Sequence, residues 1–215
     1  MRTQEFGNDE IYHCFNRGAG KRPIFYDDTD RLRFLKSLML LNSQTPLPSG
    51  KSRIDAWQHP VIPDDPLVKI VAYVLMVNHY HLVLEQLVDD GIVKFMQRLG
   101  TSYSKYVTAR HGHVGVVFGS GFRSVAIDSE PHFLHITRYV HLNPIAHSRL
   151  PLSKMKFNLS NYRWSSYRHY IGLEKNLLID NKMIMDCFEN NSDYENFVLS
   201  STDGDVELES KMLID

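Results

Sequence analysis

The order of elements, β-α-β-β-α-β with a further helix behind it, predicts an α+β protein: a ferredoxin-like sandwich with an antiparallel sheet, helices on one face and a C-terminal helical extension. Three observations carry it. Apolar residues alternate near the N-terminus, two adjacent apolar stretches in mid-chain read as neighbouring antiparallel strands, and acidic residues open amphipathic stretches between them.

From Glu10 to Arg17 the chain alternates, with Ile11, His13 and Phe15 on one side and Tyr12, Cys14 and Asn16 on the other, as a first strand requires. After Gly18, Gly20 and Pro23, the acids Asp27, Asp28 and Asp30 precede Leu32, Phe34, Leu35, Leu38, Met39 and Leu41, which predicts a helix with a core-facing stripe. Five prolines between 42 and 66 predict a long loop or insertion. Leu67 to Met76 is nearly continuous in apolar residues and His79 to Leu87 alternates, so with Val77-Asn78 as the turn they form a strand pair.

Asp89 and Asp90 start the next helix, which buries Ile92, Phe95, Met96 and Leu99 and runs to about Arg110. Four glycines, at 112, 115, 119 and 121, precede a short strand at Phe122 to Ile127. Ser129-Glu130-Pro131 opens a helix expected to run to Leu142 and to stop at Pro144. Weaker helices follow near Asp180 to Glu189 and Tyr194 to Leu199, and the last dozen residues are acidic and expected to be mobile.

Composition narrows the class. With 215 residues, 43% apolar and 23% charged, the chain can bury a real core, which excludes a disordered, collagenous or disulfide-framework protein. The longest apolar run, Ile70 to Val77, is far short of the roughly 20 residues that cross a bilayer. No apolar leader segment opens the chain, which predicts a soluble, intracellular protein whose two cysteines are reduced. The net charge of −1 averages two unlike parts. Residues 1–172 carry 21 basic and 14 acidic side chains, a net of +7, whereas residues 173–215 carry 3 basic and 11 acidic, a net of −8. The stretch 94–172 sets 11 Lys or Arg against Asp128 and Glu130 alone, a surface suited to a polyanion.

The chemistry-bearing residues are His79 and His81, two apart on a strand and therefore on one face, and Tyr139 and Asn143, four apart on one helical face. Two imidazoles can hold one metal ion but leave it under-coordinated, and the amide oxygen of Asn143 could add a ligand. A phenol of ordinary pKa near 10 is a poor nucleophile at neutral pH, so Tyr139 needs an activated electrophile, for which a phosphodiester on a metal ion is suited. Taken singly, the histidines read as packed strand residues and Tyr139 as a core aromatic.

Four ordered segments carry a resemblance: Tyr12-His-Cys-Phe-Asn-Arg-Gly18, the run from Pro23 to Asp28, Ala72-Tyr-Val-Leu-Met-Val-Asn-His-Tyr-His-Leu82, and Arg138-Tyr-Val-His-Leu-Asn-Pro144, with Trp164-Ser-Ser-Tyr167 behind them. Over roughly Tyr12 to Leu173 the chain resembles the single-tyrosine HUH transposases, most closely the REP-associated tyrosine transposases. The resemblance implies His79 and His81 as metal ligands, Asn143 as a third ligand in some members, Tyr139 as nucleophile, and Mg or Mn as the cation. It implies cleavage and rejoining of hairpin-bearing single-stranded DNA through a 5′-phosphotyrosine, in the cytoplasm at the nucleoid, by a monomer or homodimer. The expected organisation is a catalytic domain over 1–150 with the Pro-rich insertion at 42–66, an aromatic and helical extension over 151–200, and an acidic tail over 201–215. Where such proteins often carry a His, a polar residue and an Arg, this chain has Val116, Gly119 and Gly121, which reduces expected phosphate or base contacts.

Candidate DNA contacts are Arg98, Lys105 and Arg110 along the second helix; Arg17, Lys21 and Arg22 after the first strand; and Arg123, Arg138 and Arg163, with Lys154, Lys156 and Arg168 continuing the basic region. Trp164 and Tyr167, three apart, are candidates for stacking on a base or for anchoring the extension. Two other classes fit parts of this pattern. One is a domesticated or inactive ferredoxin-like nucleic-acid-binding module without cleavage. The other is a metal-dependent hydrolase using Glu85, on the same strand face as His81, as its base.

Overall fold

The computed structural model describes residues 5–47, 56–146 and 158–200. The middle of the Pro-rich insertion, Lys154, Lys156 and the acidic stretch from 201 lie outside the described residues.

The first strand, β1 (Ile11–Arg17), leads through a turn into α1 (Asp28–Leu40). The Asp27 carboxylate accepts the Asp30 N–H at 3.1 Å and caps this helix, so the acids read from the sequence act where they stand. The insertion ends at a fork made by Asn42. Its amide oxygen accepts the N–H groups of Leu67 and Val68, each at 3.0 Å, and its nitrogen donates to the Val68 carbonyl at 2.8 Å. That fork launches β2 (Val68–Leu75), which turns back into β3 (His79–Gln86).

Behind them come α2 (Gly91–His111), β4 (Arg123–Ile127) and α3 (Glu130–Ala146). The four strands pair in the order β2-β3-β1-β4, every pairing antiparallel, which is the predicted ferredoxin-like sheet. Helix α2 ends at Gly112, whose φ of +62° is the left-handed conformation that glycine adopts without a Cβ penalty.

Strand parity sorts the two faces. Tyr12, Cys14, Tyr80, Leu82 and Leu84 point one way, toward α1 and α2, where the Phe34 ring packs on Tyr80 at 4.8 Å and on Tyr103 at 5.0 Å. His13, Phe15, His79, His81 and Val83 point the other way, toward α3. The two helices of the repeat thus share one face as predicted, while the helix that carries Tyr139 covers the other.

Helix α3 departs from the sequence reading in one respect. It runs through Pro144 to Ala146 rather than stopping at Leu142. Near a helix end the missing N–H of proline removes a single bond, and Pro144 and Ile145 are buried, so packing outweighs that loss.

The C-terminal extension holds three short helices, α4 (Tyr167–Tyr170), α5 (Lys182–Met185) and α6 (Asn191–Leu199). Its entering segment lies along β2: Leu75 N–H donates to the Trp164 carbonyl at 2.8 Å and Ser166 N–H to the Tyr73 carbonyl at 3.0 Å. An otherwise open sheet edge is thereby covered. His141 of α3 joins the extension, with Nδ1 2.6 Å from the Tyr194 hydroxyl and Nε2 2.8 Å from Ser166 Oγ. Burial lowers the His141 pKa to about 3, so this bolt is neutral.

Candidate functional site

The sheet face under α3 brings together all four residues singled out for chemistry. His79 and His81 project from β3 with ring centroids 5.1 Å apart and planes at 89°. Tyr139 stands over them from α3, its ring 5.4 Å from that of His81 in an edge-to-face arrangement. One helical turn later, the Asn143 amide oxygen lies 3.0 Å from His79 Nε2. The hydroxyl of Tyr139 is buried in this conformation.

The hydrogen bonds around His79 decide what that close approach means. Asn78 donates its amide N–H to the Lys21 carbonyl at 2.9 Å, which turns the Asn78 oxygen toward His79 Nδ1 at 2.7 Å. Nδ1 therefore carries a proton, and Nε2 makes a hydrogen-bond contact with the Asn143 amide. An imidazole nitrogen and an amide oxygen this close together could serve one cation jointly. Imidazole nitrogens and a neutral amide oxygen are a donor set that a divalent ion accepts, so the residues present fit a metal. Among the described residues no group of three or more His, Cys, Asp or Glu side chains is arranged to hold a metal ion, so an ion here would rest on two imidazoles and an amide.

A third histidine was missed as a site residue. His13 of β1 places Nε2 2.8 Å from His81 Nδ1, and its ring lies 6.0 Å from Tyr139. Parity was the available signal, because His13 and Phe15 share one face of β1 just as His79 and His81 share one face of β3.

A cavity of about 240 Å³ opens on the histidines and is lined also by Arg17, Lys21 and Arg123. Asn16, Tyr80 and Ser120 border both this cavity and a larger groove of about 690 Å³ between α2 and the Gly-rich loop, where Lys105 sits. Arg22 donates to the Ala19 carbonyl at 3.0 Å and stays exposed near the same mouth. Arg17, Lys21 and Arg123 form a basic rim around the histidine cavity, with Lys105 in the adjoining groove.

Other candidate DNA contacts lie elsewhere. Arg110 pairs with Asp27 at 2.7 Å and with buried Asp30, so its charge is matched inside the fold. Arg98 donates to the Ser43 carbonyl beside the Pro-rich insertion, away from the histidines. Arg138 lies over the Phe197 ring at 4.9 Å and packs α3 on α6. Arg163 stacks on the Trp164 ring at 4.8 Å and remains largely exposed. Trp164 and Tyr167 are only 7% and 1% exposed, which corrects the stacking expectation: both rings anchor the extension to the core. Burial also raises the Tyr167 pKa.

Glu85 lies four residues along β3 from His81, about 13 Å away at strand rise. Its carboxylate is bonded to Lys69 Nζ at 2.9 and 3.1 Å, so it does not serve the histidine pair as a base. Val116 is exposed, and the loop around it is held by Ala19 N–H to the Val117 carbonyl at 2.9 Å and by Gly119 N–H to the Arg17 carbonyl at 3.0 Å.

The fold is thus an α+β sandwich with a histidine pair, a tyrosine and an amide converging between sheet and helix. Among solved structures it is similar to a REP-associated tyrosine transposase bound to a REP hairpin, with a TM-score of 0.51 and 11% sequence identity over 83% of this chain and 88% of that one. That likeness shows a shared fold. No protein-family model matches the chain, and no curated protein matches it significantly.

Proposed function

We propose that the chain is a transposase-type enzyme that cleaves and rejoins hairpin-bearing single-stranded DNA through a 5′-phosphotyrosine on Tyr139. The observation that carries this reading is the meeting of Tyr139 with His79, His81 and Asn143 in one seam, under a basic rim. The similar structure was solved with a hairpin bound, which supports the same class of ligand here.

Held by His79, His81 and Asn143, a Mg or Mn ion would polarise a phosphate and offset the charge developing on it. The residues of the chain do the rest. Arg17, Lys21 and Arg123 draw the strand to the cavity mouth through its phosphates. The Tyr139 oxygen loses its proton and bonds to phosphorus, the bond from phosphorus to the 3′ oxygen breaks, and that oxygen leaves as a 3′-hydroxyl. Attack by another 3′-hydroxyl reverses the step, so the phosphotyrosine conserves the bond energy and no nucleotide cofactor is consumed. Because the Tyr139 hydroxyl is buried, the seam between α3 and β3 must part to admit a phosphate. In this reading the enzyme acts as a monomer or homodimer on DNA in the cytoplasm. No helix of the described residues is long and apolar enough to cross a membrane.

The test is a covalent adduct. Purified protein with Mg or Mn and a hairpin-bearing single strand is expected to give a species that survives a denaturing gel. Tyr139→Phe, and separately the pair His79→Ala and His81→Ala, should abolish it. An adduct that persists in Tyr139→Phe removes the nucleophile assignment. A second reading, binding without cleavage, is favoured by the buried Tyr139 hydroxyl and by the Gly119 and Gly121 departures. Tight hairpin binding with no adduct under either metal would select it.

A further inference from the structure

We propose that His13 is a positioning residue, which accepts the Nδ1–H of His81 and so keeps the His81 Nε2 lone pair available to a divalent cation. The inference rests on the reading of His79, His81 and Asn143 as a cation site.

His13 and His81 belong to neighbouring strands, paired so that His13 stands opposite Val83 and Phe15 opposite His81. Their rings nonetheless meet, Nε2 to Nδ1, at 2.8 Å. A neutral imidazole carries one N–H, and a contact between two ring nitrogens needs one proton between them. If that proton sits on His81 Nδ1, His81 Nε2 is bare and can coordinate. If it sits on His13 Nε2, the His81 proton moves to Nε2 and coordination is blocked. His13 therefore stands where the tautomer of His81 is decided.

Metal-bound histidines usually hand their other N–H to a carboxylate, a backbone carbonyl or water. Here the acceptor is a second imidazole, clamped between the Phe15 ring at 5.0 Å and the edge of Tyr139 at 6.0 Å. Packing alone does not call for a histidine at this place. Its Nδ1 is buried with no hydrogen-bond partner among the described residues, at a cost of about 1–3 kcal/mol that a phenylalanine would avoid. The ring contributes a polar atom at Nε2, and the one group bonded there is His81.

Long-range proton–nitrogen NMR of the full chain, free of metal and DNA, is expected to show His81 protonated at Nδ1 and bare at Nε2. Manganese binding followed by paramagnetic resonance should weaken about 10- to 100-fold in His13→Phe. In His13→Gln, whose amide oxygen can accept the same N–H, it should recover most of that loss. A wild-type His81 protonated at Nε2 overturns the proposal, as does wild-type manganese affinity in His13→Phe or equal weakness in His13→Gln. Absence of manganese binding to the wild type also overturns it. Should His13→Phe fail to fold, the wild-type tautomer and the His13→Gln affinity still decide. None of these measurements uses DNA, so a protein that passes them yet forms no Tyr139 adduct refutes the cleavage reading alone.

Discussion

His79 Nε2 and the Asn143 amide oxygen lie 3.0 Å apart across 64 residues of chain, a buried hydrogen-bond contact that joins β3 to α3. If the proposed divalent ion rests on these two groups, removing one of them should be felt directly. Asn143→Ala is expected to weaken manganese binding by about tenfold, the lower end for losing a supporting group at a metal site, and Asn143→Asp to strengthen it. Calorimetric titration of the DNA-free protein measures both, and unchanged affinity in Asn143→Ala would exclude this residue as a ligand.

The second expectation concerns acid. Burial lowers the pKa of both His13 and His141 to about 3, so the folded chain holds them neutral while the unfolded chain protonates them near 6.5. Between those values the unfolded state binds more protons, so stability is full above about pH 6.5 and falls as the pH drops toward 3. The slope approaches about 1.4 kcal/mol per pH unit for each histidine. Urea midpoints at pH 7.5 and 5.5 test this, and a flat response would contradict it.

Asp30 supports a third. Fully buried, it accepts from the Tyr26 N–H at 2.8 Å, the Tyr106 hydroxyl at 2.9 Å, Arg110 and His111, and so ties the start of α1 to the end of α2. Asp30→Ala leaves the Tyr26 N–H and the Tyr106 hydroxyl without their acceptor, while Arg110 keeps Asp27, and should lower the melting temperature by several degrees. Arg110→Gln should share the loss of stability while leaving the salt dependence of DNA binding as it was. A reduced salt slope in Arg110→Gln would return this residue to the DNA-binding surface.

Gly121 supplies the fourth. A Cβ built on it meets nothing within 4 Å, and it borders the large groove beside the site. Gly121→Arg should be tolerated by the fold and add about one phosphate contact, strengthening hairpin binding several-fold and steepening its salt dependence by about one unit. Binding curves at two or more salt concentrations measure the slope. An unchanged slope would mean that the strand does not pass this side of the loop.

Local signals in the sequence located most of the framework. The acids before α1 and the alternation of β1 and β3 act within a few residues of themselves, as does the four-residue spacing of Tyr139 and Asn143, so each could be read where it stands. What escaped depended on distant partners. Nothing beside Arg110 announces Asp27 and Asp30, some eighty positions away. Trp164 read equally as stacking surface or anchor until its neighbour β2 was in place. Pro144 reads as a stop because sequence rules weigh the missing N–H but cannot see the buried surroundings of Ile145. His13 lay within a recognised segment, yet its meaning needed the strand pairing that sets it beside His81.

Strand β1 is synthesised first, but it is seated between β3 and β4, and the rings that meet on it come from residues 13, 81 and 139. A ribosome releases these in widely separated stretches, and the bolt from His141 waits for Ser166 and Tyr194. No truncated or nascent chain ending before α3 can bring a phenol to the histidines. Translation order thereby withholds the seam until α3 has been made, and withholds its bolt until Tyr194 has followed.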